Sequence, residues 1–482
     1  MRFKTSQPEG PSALNRRLTS FTPHVLSSRE GGCAMGVHEK RGVGHLLRIL
    51  GLAFGLAVVV GGVVGQGILR TPGIVAGAVP EPSWILLLWV VGGLVILIDA
   101  CSLVELGASI PRSGGPYALA RRAYGRVGGV VVGWADWLNG ILVLSFLSVV
   151  FGEYCQRLGI GASWPVGFLS LLLIVGCSAI NWSGTRVSGS SQTLLSAFKG
   201  VALVAFVIAL FAFGGGESAV EPAVGEAKGL SPTLAAGALL LAMSAILNTY
   251  GGWTGGIYFG EEIVAPERNL ARATFGGVLL VMALYVGVNA SLLYVLSPAE
   301  MAASELPAAD AATRIFGPMA GTLITVVSLV SIAAIANLYV MFNSRVGFAM
   351  ARDGVLPEQL ARASKSGTPR PALVVGSLIA AAAALSGTYL ELVAVVVPMT
   401  AAIMASIDYA AIIMRRKEPD LDRPFKMPLF PLPALAGISL NLTLLAAMTI
   451  DDPWHSLIGI GAAIVLGAGY AVMGSKVRPS AG

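Results

Sequence analysis

Of the chain's 482 residues 55% are hydrophobic and only 12% are charged, whereas soluble domains carry roughly a quarter charged residues, so a soluble enzyme or binding module is excluded. The net charge of +6 does not point to nucleic acid, because the basic residues fall in short loops between apolar runs, where they set topology. Cys33, Cys101, Cys155 and Cys177 are scattered without metal-ligand or redox spacing, and neither a disulfide framework nor a cofactor is expected.

Residues 1–36 are polar, rich in Ser, Arg and Pro, and lack the apolar core of a secretory signal. They read as a disordered tail, with Met35 an alternative start. Beyond them, apolar runs long enough to cross about 30 Å of hydrocarbon recur about twelve times. Segment 1 covers 46–76, segment 2 runs over 84–107, segment 3 over 128–151, segment 4 over 166–180 and segment 5 over 193–213. A loop carrying Glu217, Glu221 and Glu226 precedes segment 6, which starts near 233 and breaks at Tyr250. Segments 7 to 12 lie at 275–296, 321–349, 372–385, 392–414, 431–448 and 456–473, and 475–482 is a tail.

Loop charges test this map. Of 32 Lys and Arg, 5 lie before Met35 and Lys199 lies within segment 5; a cytoplasmic amino terminus puts 22 of the other 26 inside, leaving Arg70, Arg157, Lys228 and Arg314 outside. Both termini therefore read as cytoplasmic, in the plasma (inner) membrane.

Two of these segments are interrupted. Glycine weakens a helix by about 1 kcal/mol against alanine, so Gly65-Gln66-Gly67 in segment 1 and Tyr250-Gly251-Gly252 in segment 6 mark places where backbone groups are freed. Lipid tolerates that only beside a cavity or polar partner. A separation of five helices is what an inverted repeat of five plus five gives, over 46–213 and 233–414, with extra helices at 431–473 inside a transporter domain of 37–474. Close packing of small residues is the competing explanation of either glycine stretch taken alone.

Several stretches carry a family resemblance: Gly65-Gln66-Gly67-Ile68 with Pro72; Glu105-Leu106-Gly107 followed by 111–117; Asn248-Thr249-Tyr250-Gly251-Gly252-Trp253 running on to Glu261-Glu262 and Pro266-Glu267-Arg268-Asn269; Ala351-Arg352-Asp353-Gly354; and Arg423-Pro424-Phe425-Lys426. Together they resemble the amino acid-polyamine-organocation superfamily, over nearly all of the chain beyond about residue 42. The resemblance implies a sodium-independent amino-acid transporter, an all-α polytopic protein with broken helices 1 and 6, working by alternating access. Exchange and proton symport both remain open, as do the identity of the amino acid and the oligomeric state. A cationic amine or polyamine carrier would want an acidic residue at a break, and neither has one. A transport-inactive sensor is the other alternative; an intramembrane enzyme lacks any motif at membrane depth.

The expected substrate site comprises Gly65, Gln66, Gly67, Ile68, Asn248, Thr249, Tyr250, Gly251, Gly252 and Trp253. Opened N–H groups at the first break sit at the positive end of a half-helix and suit a carboxylate. Carbonyls released at the second suit an ammonium group. Tyr250 and Trp253 are expected to cover the substrate. Asn248 and Gln66 depart from the residues usual in L-type relatives and favour a small or polar amino acid. Lys199, about 9 Å from the expected start of segment 5, is the coupling candidate; the resemblance gives it a bridge between segments 1 and 8, and snorkelling to the interface competes. Asp99, Asp136 and Asp408 are further intramembrane acids with no family role attached. Glu261 and Glu262 read as a solvated helix end, with a gate pair to Arg352 as the other reading. The partners expected are an amino acid and the bilayer, with no nucleic acid; a heavy-chain partner joined through Cys155 is considered unlikely.

Overall fold

The computed structural model describes residues 46–65, 67–214 and 232–474. The expected tails, Cys33, Gln66 and the loop with Glu217, Glu221, Glu226 and Lys228 lie outside the described residues. The helices in chain order are α1 (Leu52–Val63), α2 (Gly67–Ala78), α3 (Pro82–Ser109), α4 (Pro116–Arg157), α5 (Val166–Trp182), α6 (Thr185–Phe213), α7 (Pro232–Thr249), α8 (Pro266–Val295), α9 (Pro298–Ala303), α10 (Pro307–Phe316), α11 (Pro318–Arg352), α12 (Arg370–Ser386), α13 (Tyr389–Lys417), α14 (Leu432–Asp451) and α15 (Pro453–Gly474). A 3₁₀ turn, Trp253–Tyr258, follows α7. Two isolated β-bridges, Leu50 with Ile263 and Ser113 with Phe259, are the strand-like pairings among the described residues.

An all-helical result follows from the solvent. In hydrocarbon every backbone donor and acceptor must be met inside the segment, and a helix does this without a neighbour. Proline opens many of these helices, including α3, α4, α8 and α11, at the position where its missing N–H is not needed. Seven described helices are long and apolar enough to span a membrane, and α1 with α2, bent by 45° at their break, makes an eighth candidate.

Several helices outrun their apolar cores. α4 begins at Pro116, passes a non-helical Gly125 at φ +80°, and takes Arg121, Arg122 and Arg126 into a helix instead of the expected loop. α6 begins at Thr185, α8 at Pro266. Hydropathy reports only the part of a helix that lies in hydrocarbon, and these helices continue beyond it.

Buried apolar side chains form two cores. One is centred on α1, α2, α3, α7 and α8 and holds Val58, Val59, Trp89, Tyr250 and Tyr285. The other holds Trp137, Leu144, Leu173, Ile332 and Leu373, from α4, α5, α11 and α12. α6 stands between them, packed on α1, α8 and α11, while α14 and α15 lie against α13.

Candidate functional site

At the first break the helical ladder runs out after the N–H of Val64 reaches Val60 O at 2.8 Å. The freed carbonyls are then taken one by one. Lys199 Nζ donates to Gly61 O at 2.6 Å and to Val64 O at 2.7 Å, and the Tyr285 hydroxyl donates to Val63 O at 2.8 Å. The N–H groups of Gly65, Gly67 and Ile68 meet no acceptor among the described residues. Among the described residues the carbonyls of Gly61, Val63 and Val64 are thereby taken, while donors remain at the positive end of α2.

The second break is tied to the first. Gly252 has φ +99°, open to glycine without strain, and a Cβ placed on Gly62 would lie 2.5 Å from Gly252 O, so the two backbones touch. Thr249 and Thr71 share a hydroxyl–hydroxyl hydrogen bond of 2.7 Å from α7 to α2. Tyr285 serves this break too, donating to Thr249 O at 3.2 Å, while Asn248 O accepts the N–H of Gly251 at 3.0 Å. The carbonyls expected to await an ammonium group are thus partly engaged already.

The expected site residues separate by exposure. Gly65, Gly67, Thr249, Gly251 and Gly252 gather around the junction, with Asn248 and Gly251 exposed, and a Cβ on Gly65 would lie 2.9 Å from Ile335 Cδ1 of α11. Ile68 and Trp253 are buried. Tyr250 is turned away: its hydroxyl donates to Trp89 O at 3.0 Å and its ring packs on Trp89 and Tyr285, so its expected covering position is not the one it holds. Gln66 lies outside the described residues.

Lys199 is enclosed by protein. It is 1% exposed and its ammonium is held by the carbonyls of Gly61 and Val64, which removes the snorkelling alternative. Its ammonium meets segment 1 but, among the described residues, not segment 8. Neutral amides make that link instead: Asn181 Nδ2 donates to Asn337 Oδ1 at 2.8 Å, Asn337 Nδ2 to Gln192 Oε1 at 2.9 Å, Gln192 Nε2 to Ser196 Oγ at 3.1 Å, and Ser196 Oγ to Ala57 O at 2.7 Å. Amides inside apolar runs were the available signal, and attention to formal charge passes over them.

The two ends of the molecule differ. At the Glu261 end, Arg352 grips Glu261 with bonds of 2.6 and 2.9 Å, and fully buried Arg345 and Glu262 pair at 2.9 and 3.0 Å. The solvated helix end expected here is replaced by paired carboxylates, because 259–264 folds back and backbone-pairs with Leu50. Other motif residues brace the same end. Asp353 accepts from Arg112 at 2.6 Å and from the Tyr117 hydroxyl at 3.0 Å, while Glu105 accepts from Arg415 at 2.6 and 2.7 Å and from the N–H of Met427 at 2.6 Å. At the Arg70 end the corresponding link is thin, an Arg157–Glu305 contact of 3.9 Å between exposed side chains. A cavity of about 150 Å³ and another of about 440 Å³ open there.

The intramembrane acids are also placed. Asp136 accepts from the Tyr258 hydroxyl at 2.7 Å, and its other oxygen has no partner among the described residues. Asp99 and Asp408, from α3 and α13, both receive Asn441 Nδ2, at 3.3 and 3.4 Å.

A family model described as "Amino acid permease" matches residues 50–467. The chain is 30% identical to the serine/threonine exchanger SteT of Bacillus subtilis, over 84% of this chain and 92% of that protein. It is 28% identical to the large neutral amino acids transporter small subunit 2 of Mus musculus, over 96% and 86% of the two chains. It is 27% identical to the Asc-type amino acid transporter 1 of the same species, over 87% and 80%. A relative named as a small subunit removes the support for calling a heavy-chain partner unlikely, although Cys155 itself is buried within α4. These relatives are transporters and not enzymes. Since the match spans both breaks and every motif stretch that braces the Glu261 end, the chain belongs to the amino acid permease family and is an integral membrane amino-acid transporter.

Proposed function

We propose that this permease carries neutral amino acids across the plasma membrane by alternating access, without sodium. In this reading α1 with α2 and α7 with its 3₁₀ turn are each one crossing. With α3, α4, α5, α6, α8, α11, α12, α13, α14 and α15 they make twelve, the first ten forming two inverted repeats with both termini cytoplasmic.

The observation that carries the reading is the one-sided chemistry of the first break. Lys199 and Tyr285 occupy the carbonyls of Gly61, Val63 and Val64, and the N–H groups of Gly65, Gly67 and Ile68 remain for a carboxylate. Asn248 and Gly251, exposed beside them, face the ammonium and side-chain end of the solute. Because Lys199 already satisfies the carbonyls of Gly61 and Val64, no metal cation is needed there. Whether Lys199 exchanges a proton with each cycle belongs to the same proposal.

Rocking of the α1, α2, α3, α7, α8 core against the α4, α5, α11, α12 core exposes the site alternately. The arrangement described, tight at the Glu261 end and open at the Arg70 end, corresponds to the outward-facing state. The name of the bacterial relative favours exchange over net uptake.

The test is uptake of labelled L-serine, L-threonine and L-leucine into proteoliposomes, loaded or empty, with and without sodium and a pH gradient. Uptake stimulated by internal amino acid and indifferent to sodium is expected. A sensor would bind without uptake, and sodium-dependent uptake would overturn the coupling proposed.

A further inference from the structure

The two cavities at the Arg70 end share Arg70 and Glu305 as walls. Two charges of each sign line the smaller one: Arg70 of α2, Glu153 and Arg157 of α4, and Glu305 between α9 and α10. Two of the four are engaged. Arg157 stands 3.9 Å from Glu305 and 5.7 Å from the centre of the Tyr154 ring. Arg70 and Glu153 make no hydrogen bond or ion pair with each other or with any other described residue, although they line one chamber.

Opposite charges that line one open cavity, both exposed and neither closed on the other, leave room for a solute bearing both complements. An α-amino acid is such a solute. We propose that this chamber is a second, outer amino-acid site, with Arg70 taking the carboxylate and Glu153 the ammonium group before the solute moves on to the break. The proposal rests on the reading of this end as the outward-facing entrance. Arg70 lies three residues beyond Gly67, about 4.5 Å along α2, so the carboxylate passes from the guanidinium to the N–H groups of the same half-helix. The neighbouring larger cavity receives the side chain. Its walls include Gly73, Gly77, Ala78 and Ala302, small residues that set little limit on side-chain size. The outer site therefore selects for the zwitterion and leaves discrimination between side chains to the inner one.

The experiment measures exchange of labelled L-serine by the full chain in proteoliposomes, with KM determined separately for external and internal substrate. Arg70→Gln and Glu153→Gln are each expected to raise the external KM about tenfold, the loss of one charge-assisted bond, while kcat and the internal KM stay within twofold. The rise is expected to persist in 0.5 M potassium chloride. If Arg70→Gln fails to fold, Glu153→Gln, at an exposed position, carries the test. An unchanged external KM with intact exchange overturns the outer site alone, and so does an equal rise on both faces, which would assign the pair to the inner site. A rise abolished by salt overturns it as well, leaving only electrostatic steering. Failure of the unaltered protein to move L-serine, L-threonine or L-leucine overturns the transport reading itself.

Discussion

Two side chains define the chemistry of the junction, and neither touches it for packing alone. Lys199 donates to two carbonyls that lipid cannot satisfy. Removing it leaves both bare, at about 1–3 kcal/mol for each unsatisfied group. Lys199→Ala is therefore expected to lower the thermal midpoint in detergent and to reduce exchange at least tenfold; full transport at every pH would dismiss the coupling role. Tyr285 and Tyr250 offer an internal control, since their rings pack together at 5.0 Å but their hydroxyls go to different places. Tyr285→Phe removes the donor that serves both breaks, and should change KM as well as stability. Tyr250→Phe loses only the bond to Trp89 O, about 0.5–1.5 kcal/mol, with KM within twofold. Titrating uptake for the two variants side by side separates them.

At the scale of elements, the breaks work because two backbones touch at Gly62 and Gly252. Gly252→Ala would place a Cβ against Gly62 O from a backbone at φ +99°, so loss of the folded species on size exclusion is expected, while the same change at exposed Gly251 should be tolerated better. The α9–α10 stretch gives a pH test. Glu300 caps α9 through Ser297 and pairs with Arg314, and that guanidinium, with the Ser297 N–H, holds its carboxyl down to about 2 from an ordinary 4.5. A depressed carboxylate stabilises fully above its unfolded value and loses the contribution as pH falls through the folded one. Glu300→Gln should thus lower the thermal midpoint at neutral pH, and the difference from the unaltered chain should shrink between pH 4.5 and about 2. Both partners are partly exposed, so the effect is under about 1 kcal/mol.

Across the whole molecule the two ends differ, with ion pairs at one and cavities at the other. The Glu261–Arg352 and Glu262–Arg345 pairs tie the stretch after the second break to α11, and removing one partner of the buried pair costs about 3–5 kcal/mol. The half-exposed pair is the better lever. In a chain whose own cysteines are replaced, Asn248→Cys should react with an impermeant maleimide from the Arg70 side, and adding Arg352→Ala should shift labelling toward the opposite side. Unchanged sidedness would reject the gate. Sequence alone made the helices and both breaks visible, because hydropathy and glycine placement report local backbone chemistry. What stayed hidden was long-range. Nothing local says that Tyr285 reaches Val63, that Gln192, Asn337 and Asn181 form one chain, or that Lys199 meets the carbonyls of Gly61 and Val64. The motif pairs Asp353 with Arg112 and Glu105 with Arg415 were visible as residues but not as partners.

The Thr71–Thr249 bond has a further consequence for selectivity. Joined there and at the glycine contact, the two broken segments are expected to move together in the proposed cycle, so a solute seated at the junction keeps the same backbone partners for its carboxylate and ammonium group. The wall opposite belongs to α11, where Ile335 faces Gly65. In the proposed cycle preference among side chains is then expected to depend on α11, and Ile335→Ala or Ile335→Phe should reorder the amino acids accepted while leaving the demand for a free carboxylate intact.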